Sequence, residues 1–142
     1  MEIRPATVDN LASIETMLHQ YGLPVVGVSD HLRNFVVAME GSTMCGCVGL
    51  EHYGDAALLR SIAVAERARD SGLGQRIVSR LVVECHALQV LSLVLLTTTA
   101  EHCFTRHGFV RVARGDVPPL VLASSQFQGV CPGSAVSMLR AL

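Results

Sequence analysis

An apolar run, a glycine-bearing turn and the start of an amphipathic helix follow one another at residues 57–82, and this succession constrains the chain more than any other feature. Ala57-Leu58-Leu59-Arg60-Ser61-Ile62-Ala63-Val64 reads as a strand. Arg69-Asp70-Ser71-Gly72-Leu73-Gly74 follows as a turn, and Ile77, Leu81 and Val82 then fall at helical spacing. The first N–H groups of a helix have no partner within it and sit at the positive end of its dipole. With glycines that let a ligand approach the backbone, the turn is a preformed site for a phosphate or pyrophosphate. It is not a Walker loop, which ends in Gly-Lys-Ser/Thr where this chain has Gly74-Gln75-Arg76. Nor is it the dinucleotide fingerprint, which needs a third glycine beyond Gly72 and Gly74.

Around this centre the pattern predicts alternating strands and helices. Ile3–Ala6 reads as a strand, and Thr7 caps a helix through Gln20 with Leu11, Ile14, Leu18 and Tyr21 on its apolar stripe. Residues 25–33 are a linker or a short helix. Strands are expected at 34–40 and 43–53, with the strand 57–64 next, then a helix over 72–88 and an apolar strand over 90–96. A short helix ends near His107, strands cover 109–113 and 135–142, and 114–134 is irregular apart from a helical turn near 120–125. This order gives an α/β (α+β) fold with a mixed sheet and helices on both faces.

At 142 residues the chain is read as one domain over 1–142. Half its residues are apolar, 16% are charged and its net charge is −1, without a basic block. A nucleic-acid partner is therefore not expected. No run of eighteen apolar residues occurs, so no membrane span is expected, and Met1-Glu2-Ile3-Arg4-Pro5 lacks the order of a signal peptide. Five cysteines, an odd number, point to free thiols and a cytoplasmic location. Cys45 and Cys47 are expected on one face of a strand as packing residues, and no metal is expected.

Arg69-x-x-Gly72-x-Gly74 after a strand ending in Val64 resembles the acetyl-CoA-dependent N-acetyltransferases of the GNAT superfamily. Ala100-Glu101-His102-Cys103-Phe104-Thr105-Arg106-His107-Gly108-Phe109 is similar to that family's helix-and-strand element ending in Gly-Phe, and the element order agrees over the whole chain. The resemblance implies a mostly antiparallel sheet of six or seven strands that splays in the middle, between the strand ending near Val64 and the one ending near Thr97. It implies acetyl-CoA as co-substrate, with the pyrophosphate on Arg69, Asp70, Ser71, Gly72, Leu73, Gly74 and Gln75. Pantetheine would pair with Ile62, Ala63 and Val64, with Thr98 also in the donor site. Phe104 departs from the pattern, because many members carry a Tyr there whose hydroxyl protonates the departing thiolate. The segments 116–127 and 131–135 resemble the arsenic-resistance N-acetyltransferases and, more distantly, the acetyltransferase portion of N-acetylglutamate synthases, which also lack the Tyr. Both imply as partner a small-molecule amine, the α-amino group of glutamate or a glutamate analogue, arsenic- or phosphorus-containing among them. A homodimer stays open.

On the acceptor side the residues leave alternatives. An ammonium must lose its proton before it attacks a thioester, and Glu51 is the candidate general base, with a solvated strand-end carboxylate as the other reading. His52 points to the opposite face. Arg60 is a cation in an apolar strand, which needs an anionic partner: an acceptor carboxylate, or an ion pair with Asp55 or Glu51. Beside acetyl transfer stand a non-catalytic acyl-CoA sensor, which the absent Tyr favours, and a protein N-acetyltransferase, for which an acidic groove is wanting.

Overall fold

Val36–Glu40 (β2), Thr43–Tyr53 (β3) and Ala56–Val64 (β4) are rich in valine, leucine, methionine and small residues, and tight turns at Gly41 and Gly54 fold them into an antiparallel meander. In the computed structural model, which describes all 142 residues, Glu2–Pro5 (β1) adds antiparallel to β2. After β4 the chain crosses over through helix α2 (Leu73–Ala87) to Ser92–Thr97 (β5), which lies parallel to β4. Val136–Ala141 (β7) runs antiparallel along β5, and the two-residue strand Val110–Arg111 (β6) closes the edge. The order is β1-β2-β3-β4-β5-β7-β6, seven strands with one parallel pair.

Both faces are covered. Ile77, Val78, Leu81, Val82 and Cys85 of α2 pack with Phe104 of the short helix α3 (Glu101–Arg106) against Val36, Ala38, Leu50, Ala57 and Leu59. On the other face Ile14, Met17 and Leu18 of α1 (Leu11–Gln20) bury against Phe35, Val37, Met39 and Cys47. Each such side chain contributes about 1.5–3 kcal/mol relative to exposure. Further along that face Val117, Val121 and Phe127 of the irregular segment pack on Ala56, Leu58 and Val94. The three-residue turn Val8–Asn10 precedes α1, with the Thr7 N–H donating to Asn10 Oδ1 at 2.9 Å, so the helix proper starts four residues past Thr7.

Two irregularities of register shape the centre of the sheet. In the β2–β3 ladder Ala38 faces Gly46 and Met39 faces Met44, so Cys45 is an extra residue. That bulge changes the phase of β3: Cys45 packs towards α2 while Cys47 packs towards α1. The expectation that the two thiols share a face fails for this reason. In the β3–β4 ladder Cys47 faces Ala63 and Gly49 faces Arg60, which leaves one residue extra in β4, and Ser61 there takes a left-handed φ of 61°.

Candidate active site

The parallel ladder between β4 and β5 is short. Ala56, Ala57 and Leu58 pair with Ser92, Leu93 and Val94, and beyond them the strands part. From Leu59 onward β4 has no neighbour on that side, while β5 stays paired with β7 through Thr97. A cleft of about 510 Å³ opens in the gap. Leu59, Arg60, Ser61 and Ile62 form one wall, Leu95 to Ala100 with Phe104 the other, and Pro24, Gln126 and Cys131 close it from the loops. The bulge at Ser61 turns β4 where it leaves β5. Its Oγ accepts from Arg60 Nε at 2.9 Å and its carbonyl accepts from the Cys47 thiol at 3.4 Å. Ser61 carries no sequence signal, since a left-handed residue is ordinarily read from glycine.

At the open end of β4 the chain turns into α2. Asp70 and Gly72 have φ of 64° and 79°, and Gly72 is the N-cap. The first bond of the helix runs from the Arg76 N–H to the Gly72 carbonyl. The N–H groups of residues 70–75 have no backbone acceptor, which makes six in succession at the positive end of a fifteen-residue helix. The turn is anchored from both ends: Arg69 Nε donates to the Val64 carbonyl at 3.1 Å with its guanidinium 4.8 Å from the centre of the Tyr21 ring, and the Ser71 hydroxyl donates to the Ala68 carbonyl. Ser71, Gly72 and Gln75 are exposed. Ile62 lines the cleft and Thr98 lies on the facing wall, exposed; the turn, Ala63 and Val64 continue along β4 beyond it. This continuous path, an unpaired strand edge leading to an anion-binding turn, fits a pantetheine arm that ends in a pyrophosphate.

Arg60 and Glu51 meet inside the wall. Both side chains are almost fully buried, and Nη1 donates to Oε2 at 2.7 Å. Nη2 donates to the Pro24 carbonyl at 3.2 Å. Glu51 also accepts from the Tyr53 hydroxyl at 2.5 Å, and His31 Nε2 lies 3.9 Å from Oε1. Burial pushes the Glu51 carboxyl up, but hydrogen bonds from Ser124, Tyr53 and Arg60, with the Arg60 charge, outweigh it and hold the carboxyl below its ordinary range. Glu51 thus supplies the anionic partner that Arg60 needs. Glu51 is not among the residues that line the cleft, and its carboxylate, ionised and tied to the Arg60 guanidinium, is a weakened base there. His52 turns away and bonds the Gly54 carbonyl at 2.7 Å. Arg60 itself does line the cleft.

Phe104 sits in the facing wall, 6% exposed, with its ring edge-on to Phe109 at 5.7 Å between centroids. The sequence reading marked the segments that hold Gln126 and Cys131 but not these two as cleft residues, because an irregular segment gives no periodicity from which to infer what it buries.

A model of the acetyltransferase (GNAT) domain matches residues 31–111, more than half of the chain. The amino-acid acetyltransferase of Ralstonia nicotianae is 26% identical over 125 residues, 82% of this chain and 28% of that protein. Its counterpart from Neisseria meningitidis is 22% identical over 93 residues, 64% of this chain and 21% of that protein. The chain therefore spans between a fifth and a third of the length of these relatives. Among solved structures, N-acetylglutamate synthase from Neisseria gonorrhoeae, complexed with coenzyme A and N-acetyl-glutamate, superposes with a TM-score of 0.85 at 19% identity over 99% of this chain and 35% of that one. A Mycobacterium tuberculosis protein in complex with CoA gives 0.81 at 21% identity over 100% and 99%. With the split sheet and the anion-binding turn, the family match leads to one conclusion: the chain belongs to the GNAT acetyltransferase family, whose acetyl donor is acetyl-CoA.

Proposed function

We propose that the chain transfers the acetyl group of acetyl-CoA to the α-amino group of a small amino-acid-like acceptor, glutamate or a glutamate analogue. The observation that carries this reading is the continuity of the unpaired β4 edge with six free N–H groups at the start of α2, beside a cleft closed by Arg60 and the 114–134 loop. The thioester would enter where β4 and β5 part, and the amine would approach from the loop side. Arsenic- or phosphorus-containing analogues of glutamate are acceptors of the same shape, and acetylating their amino group would make the activity a detoxifying one. The resemblance of segments 116–127 and 131–135 supports that branch, and buried free thiols fit a cytoplasmic protein. Amine deprotonation goes through water rather than Glu51, and the CoA thiolate leaves without a Tyr at position 104.

A thiol-release assay with acetyl-CoA and a panel of amino acids and their arsenic or phosphorus analogues tests the reading. Release with glutamate-like acceptors is expected. Tight CoA binding without release from any member of the panel would overturn it in favour of a sensor, the reading that Phe104 favours. Three of the five guanidinium N–H donors of Arg60 are held by Glu51, Ser61 and Pro24; Arg60→Lys, which cannot keep that set and still reach an acceptor carboxylate in the cleft, should raise the acceptor KM and leave that of acetyl-CoA near its original value.

A further inference from the structure

Gln126 stands apart from the other polar residues of the cleft. It is 7% exposed, it lines the cleft, and its amide nitrogen Nε2 is buried without a hydrogen-bond partner. No other buried side-chain nitrogen or oxygen in the protein lacks one. The rest of the residue is held in place. Its Oε1 accepts from the Cys131 thiol at 3.1 Å, its backbone N–H donates to Ser124 Oγ at 3.1 Å, and its carbonyl accepts from the Cys131 N–H at 3.4 Å. With the oxygen engaged and the backbone fixed, the –NH₂ group is the part of this cleft-lining residue left without a partner. A buried N–H donor left unpaired is costly, so an orphan at the wall of a binding cleft marks a place where a ligand oxygen arrives.

The charges around it sharpen the chemistry. Arg60 is neutralised by Glu51 at 2.7 Å and already donates to Ser61 and Pro24. The buried side-chain donor of the cleft lining that lacks any partner is the neutral amide. We propose that Gln126 Nε2 donates to a carboxyl oxygen of the acceptor and makes the site selective for acceptors that carry one. This inference rests on the acetyl-transfer reading above. It names a specificity residue in place of a general acidic-acceptor preference.

The test compares wild type, Gln126→Leu and Gln126→Glu with three acceptors: glutamate, norvaline (no side-chain carboxylate) and 4-aminobutyrate (no α-carboxylate). For Gln126→Leu the glutamate KM should rise roughly 10- to 100-fold, the range for losing a hydrogen bond to a charged group, while the KM for acetyl-CoA stays near its wild-type value. The truncated acceptor that lacks the oxygen read by Gln126 should show no such penalty. Norvaline in that role identifies the side-chain carboxylate, 4-aminobutyrate the α-carboxylate. Gln126→Glu, nearly isosteric and so independent of loop collapse, should penalise glutamate at least as strongly by setting carboxylate against carboxylate. An equal penalty on all three acceptors, or none on glutamate, overturns the assignment. Wild-type protein that releases no thiol with any of them overturns the acetyl-transfer reading itself, and this inference falls with it.

Discussion

Glu51 and Arg60 are diagonal neighbours on the antiparallel β3–β4 pair: Glu51 faces Leu58 across the ladder, and Arg60, two residues on, turns its guanidinium back to the carboxylate. Gly27, with φ 86°, lies against the pair, and a Cβ there would sit 2.9 Å from Arg60 Nη1. The pair is thus enclosed by backbone as well as by side chains. Glu51→Gln leaves a buried guanidinium without counter-charge and should cost about 3–5 kcal/mol in chemical denaturation. The double variant Glu51→Gln/Arg60→Met should recover part of that loss. A cost below about 1 kcal/mol for Glu51→Gln would show that water reaches the guanidinium.

The same cluster sets two pH limits. Glu51 is held below the ordinary carboxyl range near about 4, so its contribution to stability is full above that range and is lost as pH falls through the lower folded value. Tyr53 is pushed up to about 12 by burial and by its bond to Glu51, so its contribution is full below the ordinary tyrosine value of about 10 and is lost as pH rises towards 12. Unfolding curves across both windows should show the acid loss flattened in Glu51→Gln and the alkaline loss flattened in Tyr53→Phe.

Gly72 has open space where a Cβ would stand, yet its φ of 79° is one that a β-branched residue adopts only under strain. Gly72→Val should weaken acetyl-CoA binding more than tenfold, about 1.4 kcal/mol or more, by moving the N–H groups of the turn. The fold should survive, since nothing is displaced. Unchanged affinity by calorimetry would detach the pyrophosphate from this turn.

Phe104 offers no proton, and its ring is committed to Phe109. Phe104→Leu should keep substantial turnover, and Phe104→Tyr should bring no large gain in kcat. A strong increase with Tyr would mean that thiolate protonation limits the wild-type rate.

The thiols should separate by place. Burial pushes Cys47 up to about 12 and Cys85 to about 11, and Cys45 is also buried. Alkylation of native protein at pH 8, followed by mass spectrometry, should label exposed Cys103 first and leave these three unmodified. Cys131, half-buried in the cleft wall, should label slowly and more slowly still with CoA present.

Much of the architecture was legible in the sequence, because β5 sits in a short, almost wholly apolar run, α2 carries helical periodicity, and the glycine-bearing turn before it is a local motif. The start of the first helix moved by three residues, because the turn Val8–Asn10 intervenes between Thr7 and Leu11. What could not be read were the phase changes. A bulge at Cys45 or Ser61 is a relation between two strands and leaves no mark in either. Arg60 was legible as a cation in need of a partner, but whether that partner was Glu51 or Asp55 depended on the register. Gln126 lies in a segment with no regular pattern, and its importance rests on what its neighbours fail to offer it.

On the acetyl-transfer reading proposed above, the parting of β4 from β5 ties the protein's own durability to its donor. A chain that pairs along the free edge of β4 completes the sheet, and by linkage the folded state gains RT ln(1 + [L]/Kd), about 2.7 kcal/mol at a hundredfold excess of donor over Kd. The resistance of such a molecule to unfolding and proteolysis would then rise and fall with the acetyl-CoA supply around it, and its abundance would follow the ligand that fills its sheet.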